Sequence, residues 1–444
     1  MPLQRLSRVE YAASTGVDVN VKSPDGATAL MWAIFNNDME LARALLKAGA
    51  KANVISNYGA SALGEAIKQT DLEMVRTLLD AGADVNSTGT DNQTALMLAI
   101  TTGAPGQKIA ELLIQRGADV NAIETFRGQN ALMWAAANNL PDIVDQLLAK
   151  GATNINMRAK ADDWARMMTS EPRAQFRSRH TGGLTALLFA TRSDCLRCVQ
   201  SLLKAGADID KPNPDGVTPL INALDNANYD VANYLLDRGA NPNIWDMHGR
   251  TPLFCAVDRK STPPPKSILS GVGGGLTSPA APETGGRVRV PGAAAASAAA
   301  GAGAVPAVTP MAVINRLLKM GVDVNHQLTR KRPYGNGRDR FTDYDMRGSV
   351  GPLFLASMYD DHETMEALIK HGAEVDLVNV FQMTPLMYAV GMSGTAQPSP
   401  MSDAQTANAI KSVEILQNAG ANINAQIRDS RTHTAVVMSF VAGS

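Results

Sequence analysis

The 444-residue chain is poor in cysteine, excess charge and long apolar runs, and each shortage excludes a class of protein. Three cysteines cannot form the disulfide framework of a small secreted domain, so a reducing compartment is the simplest expectation. A net charge of −1 provides no overall field that would attract nucleic acid or an anionic membrane. No apolar run approaches the roughly 18 residues that a membrane-spanning helix needs.

Both ends of the chain read as interrupted units, and the expected compartment depends on them. Residues 9–20 have the pattern of a second helix whose first helix is missing, and residues 434–440 begin a helix without its partner. No apolar signal segment follows Met1. We expect a soluble, cytoplasmic protein for the chain as it stands, and a periplasmic or secreted one if its N-terminus is truncated.

One short phrase returns along the sequence at a fixed interval. Each copy ends with a glycine that follows a pair of apolar residues. These glycines are Gly49, Gly82, Gly117, Gly151, Gly206, Gly239, Gly321, Gly372 and Gly420. Alanines earlier in each unit keep the same step, which is 33 residues from Ala33 to Ala66 and from Ala66 to Ala99. A period of this size predicts a solenoid of stacked units rather than one closed globule.

Each unit carries the pattern of two short amphipathic helices. Leu30, Ala33 and Ile34 lie at i, i+3 and i+4, and residues 41–45 repeat that spacing. The closing glycine, Gly49 in this unit, suits a helix C-terminal cap because its backbone adopts positive φ without strain. A single helix pair cannot bury both of its faces, so stability must come from contacts between neighbouring units.

The complete unit resembles an ankyrin repeat. Residues 215–220 read DGVTPL, and residues 235–243 read LLDRGANPN after an apolar helix. The resemblance implies a β-turn finger, helix A, a tight turn and helix B, stacked into a curved array. The predicted fold class is therefore all-α, an ankyrin-type α-solenoid of about nine helix-turn-helix repeats with β-turn fingers, partial terminal repeats and loop insertions. We expect a protein made of such repeats only, of bacterial origin.

The chain departs from the family pattern at one position of every repeat. Where the family usually has His after Thr-Pro-Leu, this sequence has an apolar residue or glycine. The residues at this position are Met31, Gly64, Met97, Met133, Leu188, Ile221, Phe254, Phe354 and Met387. The hydrogen bonds of that His must be lost or replaced, so we expect individual repeats to be less rigid.

Five insertions interrupt the period and define the predicted organisation. Residues 103–106 and 391–407 lengthen turns between helix A and helix B. The predicted segments are N-terminal repeats at 1–158 (the first partial), a basic insertion at 159–182, central repeats at 183–258, a Pro/Gly/Ala-rich insertion at 259–308, helix B of the interrupted repeat at 309–325, a basic-aromatic insertion at 326–348, and C-terminal repeats at 349–444 (the last partial). Residues 259–308 should be flexible and dispensable, because their composition buries too little apolar surface to offset ordering.

No motif in the sequence predicts catalysis. Cys195 and Cys198 form a C-x-x-C without a second pair at metal-ligand spacing, and we interpret Cys198 as a small packed hydrophobe. Residues 271–275, GVGGG, lack the flanking strand and Gly-Lys-Ser/Thr of a phosphate-binding loop and are interpreted as linker. The six histidines have no metalloprotease spacing. We predict a non-enzyme with no catalytic residue, no cofactor, no metal and no small-molecule substrate.

The two basic insertions leave one alternative open. Residues 330–332 (Arg-Lys-Arg) are followed by Tyr334 and Phe341, a mixture that can stack on single-stranded bases and neutralise phosphates. The competing interpretation, which we favour, is a solvated loop with its rings tucked onto the solenoid. In the insertion 159–182, Trp164 and Phe176 have the same two interpretations.

The predicted function is a non-enzymatic scaffold that binds a protein partner of unknown identity. The resemblance implies that partners bind the concave face, made by the finger tips and the exposed side of helix A. The aromatic, His and Arg residues at matching positions are Phe35, Tyr58, Phe126, Arg127, Arg192, Trp245, His248, Arg250, Tyr359 and Phe381. We expect about half of them to pack between neighbouring fingers instead. The alternatives are nucleic-acid or acidic-partner binding through 159–182 and 326–348, and a module of a longer, truncated protein. A membrane is not expected as a partner, and a protein partner is favoured over nucleic acid.

Overall fold

The repeated sequence pattern forms pairs of short helices. The computed structural model describes residues 18–89, 91–161, 182–261, 308–329, 348–390 and 403–425. These residues contain 18 α-helices and no named β-strand, which confirms the all-α solenoid predicted from the sequence. The chain divides into two units, Met1–Asn222 and Ala223–Ser444.

The first unit contains five complete helix pairs, in which odd numbers denote helix A and even numbers helix B. They are α1 (Ala29–Phe35), α2 (Met39–Lys47), α3 (Ala62–Lys68), α4 (Leu72–Asp80), α5 (Ala95–Thr101), α6 (Gln107–Gln115), α7 (Ala131–Ala137), α8 (Pro141–Ala149), α9 (Ala186–Arg192) and α10 (Leu196–Lys204). The next helix A, α11 (Pro219–Asp225), spans the division between the units.

The second unit continues the same alternation. Its helices are α12 (Tyr229–Asp237), α13 (Pro252–Ser261), α14 (Pro310–Lys319), α15 (Pro352–Met358), α16 (His362–Lys370), α17 (Pro385–Ala389) and α18 (Asp403–Asn418).

Short polar side chains begin the helices. At the start of α5, Oγ1 of Thr94 accepts a hydrogen bond from the N–H of Met97 at 3.2 Å. At the start of α4, Oδ1 of Asp71 accepts from the N–H of Met74 at 3.0 Å. Each bond satisfies one of the N–H groups that have no partner in the first turn, and the carboxylate also faces the positive end of the helix dipole.

Small residues allow the repeats to stack closely. In the first unit α1 packs on α3, α3 on α5, α5 on α7 and α7 on α9. Ala66 and Ala99, on successive A helices, have no exposed surface. Because every repeat buries its apolar stripe mainly against its neighbours, the stability of the array is close to a sum of neighbour interfaces.

Asparagine side chains join successive repeats at the loops after helix B. Nδ2 of Asn53 donates to the carbonyl of Gly82 at 2.9 Å, and its Oδ1 accepts from the N–H of Asp84 at 2.6 Å. Asn121 makes the equivalent bond to the carbonyl of Gly151 at 3.0 Å. These side chains satisfy backbone groups that the tight turn leaves without a partner.

The fingers are tight turns, and the β-structure in them is limited to isolated bridges. Ile55 and Ser61 form an isolated antiparallel bridge at the base of one finger. The tip of that finger is joined to the tip before it, since the N–H of Asn57 donates to the carbonyl of Asp25 at 2.9 Å. Neighbouring fingers therefore support one another along the edge of the array.

At eight of the nine positions that lack the family His an apolar side chain is buried, and the ninth is Gly64. Met97 has 0% and Phe254 1% of its surface exposed, so both belong to the apolar core. At Met97 the hydroxyl of the preceding Thr94 bonds the backbone N–H instead. The expected loss of rigidity stays a prediction.

Two helices extend beyond the bounds predicted from the sequence. Helix α13 continues to Ser261, inside the insertion expected at 259–308, and its Lys260 and Ser261 bond to Asp361. Helix α18 begins at Asp403, inside the insertion expected at 391–407. The turn at 103–106 contains a short 3-10 helix, Ala104–Gly106, which leads directly into α6.

Several predicted features lie outside the described residues. They are the partial helices at the two ends, most of the Pro/Gly/Ala-rich insertion including residues 271–275, and the central parts of both basic insertions. The two described residues that flank the first basic insertion, Ala161 and Gly182, pair with each other in an antiparallel bridge.

Candidate functional site

The first helix A presents two aromatic rings to solvent. Leu30, Ala33 and Ile34 of α1 are buried, whereas Trp32 is 52% and Phe35 62% exposed. The two exposed residues are three positions apart, which places them on one helical face. Their rings meet edge to face with centroids 5.8 Å apart. Phe35 was predicted from the sequence and Trp32 was not, although its position three residues before Phe35 indicates that the two share one helical face.

The equivalent face of later A helices in the first unit changes from a charge pair to an aromatic and cationic pair. On α3 it carries Lys68, which donates to Glu65 at 2.8 Å. On α9 the guanidinium of Arg192 lies over the ring of Phe189, 4.9 Å from its centroid. Phe189 is 6% exposed, so the ring supports Arg192 rather than contributing a large surface of its own.

Two finger tips of the first unit add further exposed rings. Tyr58 is 79% and Phe126 71% exposed. The guanidinium of Arg127 lies 5.8 Å from the centroid of the Phe126 ring. We refer to Trp32, Phe35, Tyr58 and Phe126 as the exposed aromatic set.

A buried carboxylate fixes the finger that carries Phe126. Glu124 is 4% exposed and accepts hydrogen bonds from three backbone N–H groups. Its Oε2 lies 2.7 Å from the N of Phe126, and its Oε1 lies 2.9 Å from the N of Arg127 and 2.8 Å from the N of Gln129. The carboxylate therefore holds the tip in one backbone conformation before any partner arrives.

In the second unit the candidate residues from one finger separate into exposed and buried groups. Trp245 is 55% exposed, and its ring lies 5.1 Å from the ring of His326. His248 is only 9% exposed and Arg250 only 2%. Both therefore belong to the candidates that pack within the array instead of facing solvent, as we expected for some of the set.

The side chain of Arg250 is buried because two carboxylates surround it. Nε lies 2.7 Å from Oδ2 of Asp246, and Nη1 lies 3.4 Å from Oδ1 of Asp225. Arg259 shares Asp225, at 2.7 Å. Burial disfavours a charged guanidinium, but the carboxylates outweigh it and raise the pKa of Arg250. In this structure the guanidinium joins a finger to the end of α11.

The last two candidates are half-buried. Tyr359 lies just after α15, and Phe381 lies at a finger tip, where its N–H donates to Oδ1 of Asn379 at 2.9 Å. Phe35, Tyr58, Phe126, Arg127 and Arg192 belong to the first unit, and the other five candidates to the second. Whether any of them binds a partner stays a prediction.

The cysteines differ from the sequence interpretation. Cys198 is fully buried, as a packed hydrophobe would be, but it forms a disulfide with Cys195. The sequence interpretation of Cys198 as a packed hydrophobe agrees with its burial but did not include the bond to Cys195. Cys255 is a free buried cysteine, and burial raises the pKa of its thiol, so it stays protonated at neutral pH.

Within the described ranges, no group of three or more His, Cys, Asp or Glu side chains is arranged to hold a metal ion. Among the same residues, no helix is long and apolar enough to cross a membrane.

Family comparisons agree with the repeat architecture. A family model for ankyrin repeats in three copies matches residues 4–89, 87–159, 166–246 and 187–263, and a model for a single ankyrin repeat matches residues 351–380. These matches cover more than half of the chain. The chain belongs to the ankyrin repeat family, as the sequence resemblance predicted.

Relatives share part of the chain. The RelA-associated inhibitor of Mus musculus is 41% identical over 91 residues, which cover 20% of this chain and 11% of that protein. The B-cell lymphoma 3 protein homolog of Mus musculus is 30% identical over 189 residues, covering 41% and 37%. Inversin of Canis lupus familiaris is 39% identical over 79 residues, covering 18% and 7%. The matched part is thus less than two-fifths of each relative.

The family and these relatives support a role in protein–protein interaction. Ankyrin repeats are in general non-enzymatic interaction modules. The bacterial origin expected from the sequence stays a prediction.

Proposed function

We propose that this chain is a non-enzymatic module that binds a protein segment through the helix-A and finger side of its first unit. The observation that carries the proposal is the exposed aromatic set, whose four side chains are between 52% and 79% exposed. Large aromatic side chains dominate the energetics of protein interfaces, and leaving several of them in water is unfavourable unless a partner covers them.

The cations beside the rings favour a partner that carries both apolar and acidic side chains. Arg127 is held near Phe126, and Arg192 lies over Phe189. A guanidinium supported by a ring loses little freedom when it binds a carboxylate with two parallel hydrogen bonds. A segment with apolar anchors for Trp32 and Phe35 and with Asp or Glu for Arg127 fits this chemistry.

Preformed fingers support the same function. Glu124 holds the tip that carries Phe126, and backbone hydrogen bonds join neighbouring tips. A surface that is rigid before binding loses less entropy when the partner arrives. The name of the RelA-associated inhibitor also describes a protein that associates with another protein, which supports a protein partner as the class.

The proposal is tested with peptides selected on the whole chain. A random peptide library is panned on the immobilised protein, and selected peptides are measured in solution against the wild type and single variants. Trp32→Ala, Phe35→Ala and Phe126→Ala should each weaken binding by roughly 1–3 kcal/mol, where 1.4 kcal/mol is tenfold. Selected peptides should be enriched in aromatic and acidic residues.

A matched control lies on helix B, away from these rings. Arg76 of α4 is 47% exposed, so Arg76→Ala changes a similarly accessible side chain and should leave affinity unchanged. All variants should keep the helicity and melting temperature of the wild type. Peptides that bind the three aromatic variants as tightly as the wild type contradict the proposal. Binding that falls steeply with salt and requires residues 330–332 would favour the nucleic-acid alternative instead.

A further inference from the structure

Cys195 and Cys198 occupy the start of α10, the helix B that follows α9. Cys195 is the cap residue just before the helix, and Cys198 lies in its first turn. The two sulfurs form a disulfide, and the residues are 2% and 0% exposed. Neither the family pattern nor the proposed function assigns a role to this pair.

The sulfur of Cys195 stands where three other repeats place a carboxylate. Three other B helices are capped by aspartate, at Asp38, Asp71 and Asp361. Each carboxylate accepts a hydrogen bond from the backbone N–H three residues further along the chain. Sγ of Cys195 accepts in the same way from the N–H of Cys198, at 3.1 Å. The position therefore suits a polarisable or anionic acceptor at the positive end of a nine-residue helix.

We propose that Cys195 and Cys198 are a site of reversible thiol–disulfide exchange that makes the stability of this repeat depend on redox state. In the oxidised form the bond clasps the cap residue to the first turn of α10. In the reduced form two thiols remain, and only the weaker Sγ hydrogen bond holds the helix start.

The exchange balances with a dithiol as reductant. A thiolate of the dithiol attacks one protein sulfur, the bond between Cys195 and Cys198 breaks, and a mixed disulfide forms. The second thiolate of the reagent then closes on the first and releases the protein sulfur. The protein gains two electrons and two protons, and the reagent becomes a cyclic disulfide. A low-molecular-weight disulfide such as oxidised glutathione drives the reverse step.

Burial determines how the exchange proceeds. Because both residues are almost without exposed surface, an attacking thiolate reaches the sulfurs only when the start of α10 opens locally. The clasp opposes that same opening. Reduction should therefore be slow in the folded protein, and the reduced protein should open more often at this helix than at any helix B capped by Asp.

Alkylation under denaturing conditions tests the bond. Protein is first equilibrated with oxidised glutathione and then unfolded by a denaturant in the presence of iodoacetamide. Only Cys255, the free cysteine of the structure, should be alkylated. After dithiothreitol all three cysteines of the chain should be labelled. Labelling of all three without a reductant would overturn the proposal.

Amide hydrogen exchange tests the clasp itself. Reduction should accelerate exchange at the start of Leu196–Lys204 by roughly tenfold, while Leu72–Asp80, a helix B capped by Asp71, stays unchanged. Equal exchange in the two redox states would show a bond without the proposed effect and overturn it.

Two variants separate the clasp from other effects of dithiothreitol. In Cys195→Asp with Cys198→Val, the cap is the residue used by three other repeats and the packed position takes the residue found at the equivalent position of α12, Val231. This double variant should fold and melt at a temperature independent of the reductant. Cys255→Ala should keep the wild-type redox dependence. A redox dependence that survives in the double variant would contradict the assignment to this pair.

Discussion

The ammonium of Lys260 lies 2.6 Å from Oδ1 of Asp361, although 101 positions separate the two residues in the sequence. Lys260 belongs to the last turn of α13, and Asp361 caps α16. Ser261 donates to the other carboxylate oxygen of Asp361 at 2.7 Å. The end of one helix A is thereby fastened to the start of the helix B in the following repeat.

Replacement of Asp361 by Asn should destabilise the second unit at neutral pH by roughly 1.5–3 kcal/mol, the range for hydrogen bonds to charged groups. Burial alone would raise the pKa of Asp361, but hydrogen bonds from Lys260, Ser261 and Thr364 lower it. A lowered pKa in the folded state contributes stability above the ordinary value of about 3.9, and this contribution is lost as pH falls through the folded pKa.

Urea unfolding followed by circular dichroism at several pH values checks this prediction. The difference in midpoint between wild type and Asp361→Asn should be largest near pH 7 and shrink toward about pH 3. Because Asn also caps helices well, the variant isolates the charge from the cap. A difference that grows on acidification would show that the carboxylate does not act in this way.

Two deletions should differ because of the same contact. Replacing residues 260–307 with a short Gly-Ser linker removes Lys260 and Ser261 but keeps Arg259 on Asp225, whereas replacing residues 262–307 also keeps Lys260 and Ser261 bound to Asp361. With linkers of equal length, the second deletion should melt at the higher temperature. Equal melting temperatures would mean that the fastening contributes nothing measurable to the array.

Replacement of Arg250 by Ala should lower stability strongly, by about 3–5 kcal/mol, because it leaves the buried carboxylate of Asp246 without its cation. Arg127→Ala is the matched control, since that arginine is exposed and its loss should change stability by no more than about 0.5 kcal/mol. Thermal unfolding of both variants makes the comparison. If the Arg250→Ala protein has wild-type stability, the buried ion pair between Arg250 and Asp246 does not stabilise the fold as predicted.

Replacement of Glu124 by Ala should weaken peptide binding while the helices remain folded. The variant leaves three backbone N–H groups of the finger without their acceptor, at a cost of roughly 1–3 kcal/mol in stability. The finger that presents Phe126 then becomes flexible, so affinity should fall for peptides that depend on Phe126. Peptides that bind through Trp32 and Phe35 alone should be unaffected, which provides an internal control in the same titration.

The helices were predictable because their causes are local. Thr94 as a cap, the spacing of Leu30, Ala33 and Ile34, and a glycine after helix B all act within one or two turns of chain. The exposure of Phe35, Tyr58 and Phe126 followed from their positions in the repeat. Trp32 was not predicted, because a large apolar side chain in an apolar helix is as compatible with the core as with the exposed face that it shares with Phe35.

The sequence by itself determined the repeat, the all-α class and the family, because each unit encodes its own turns, caps and apolar stripes. Only the tertiary structure decided which polar residues are buried. Arginine is a residue type that is common in interfaces, yet Arg250 is enclosed by Asp225 and Asp246. Cys195 and Cys198 form a bond, and Lys260 extends a helix to reach Asp361. These outcomes depend on which side chains the stacked repeats bring within a few ångströms, and residue spacing in one repeat does not contain that information.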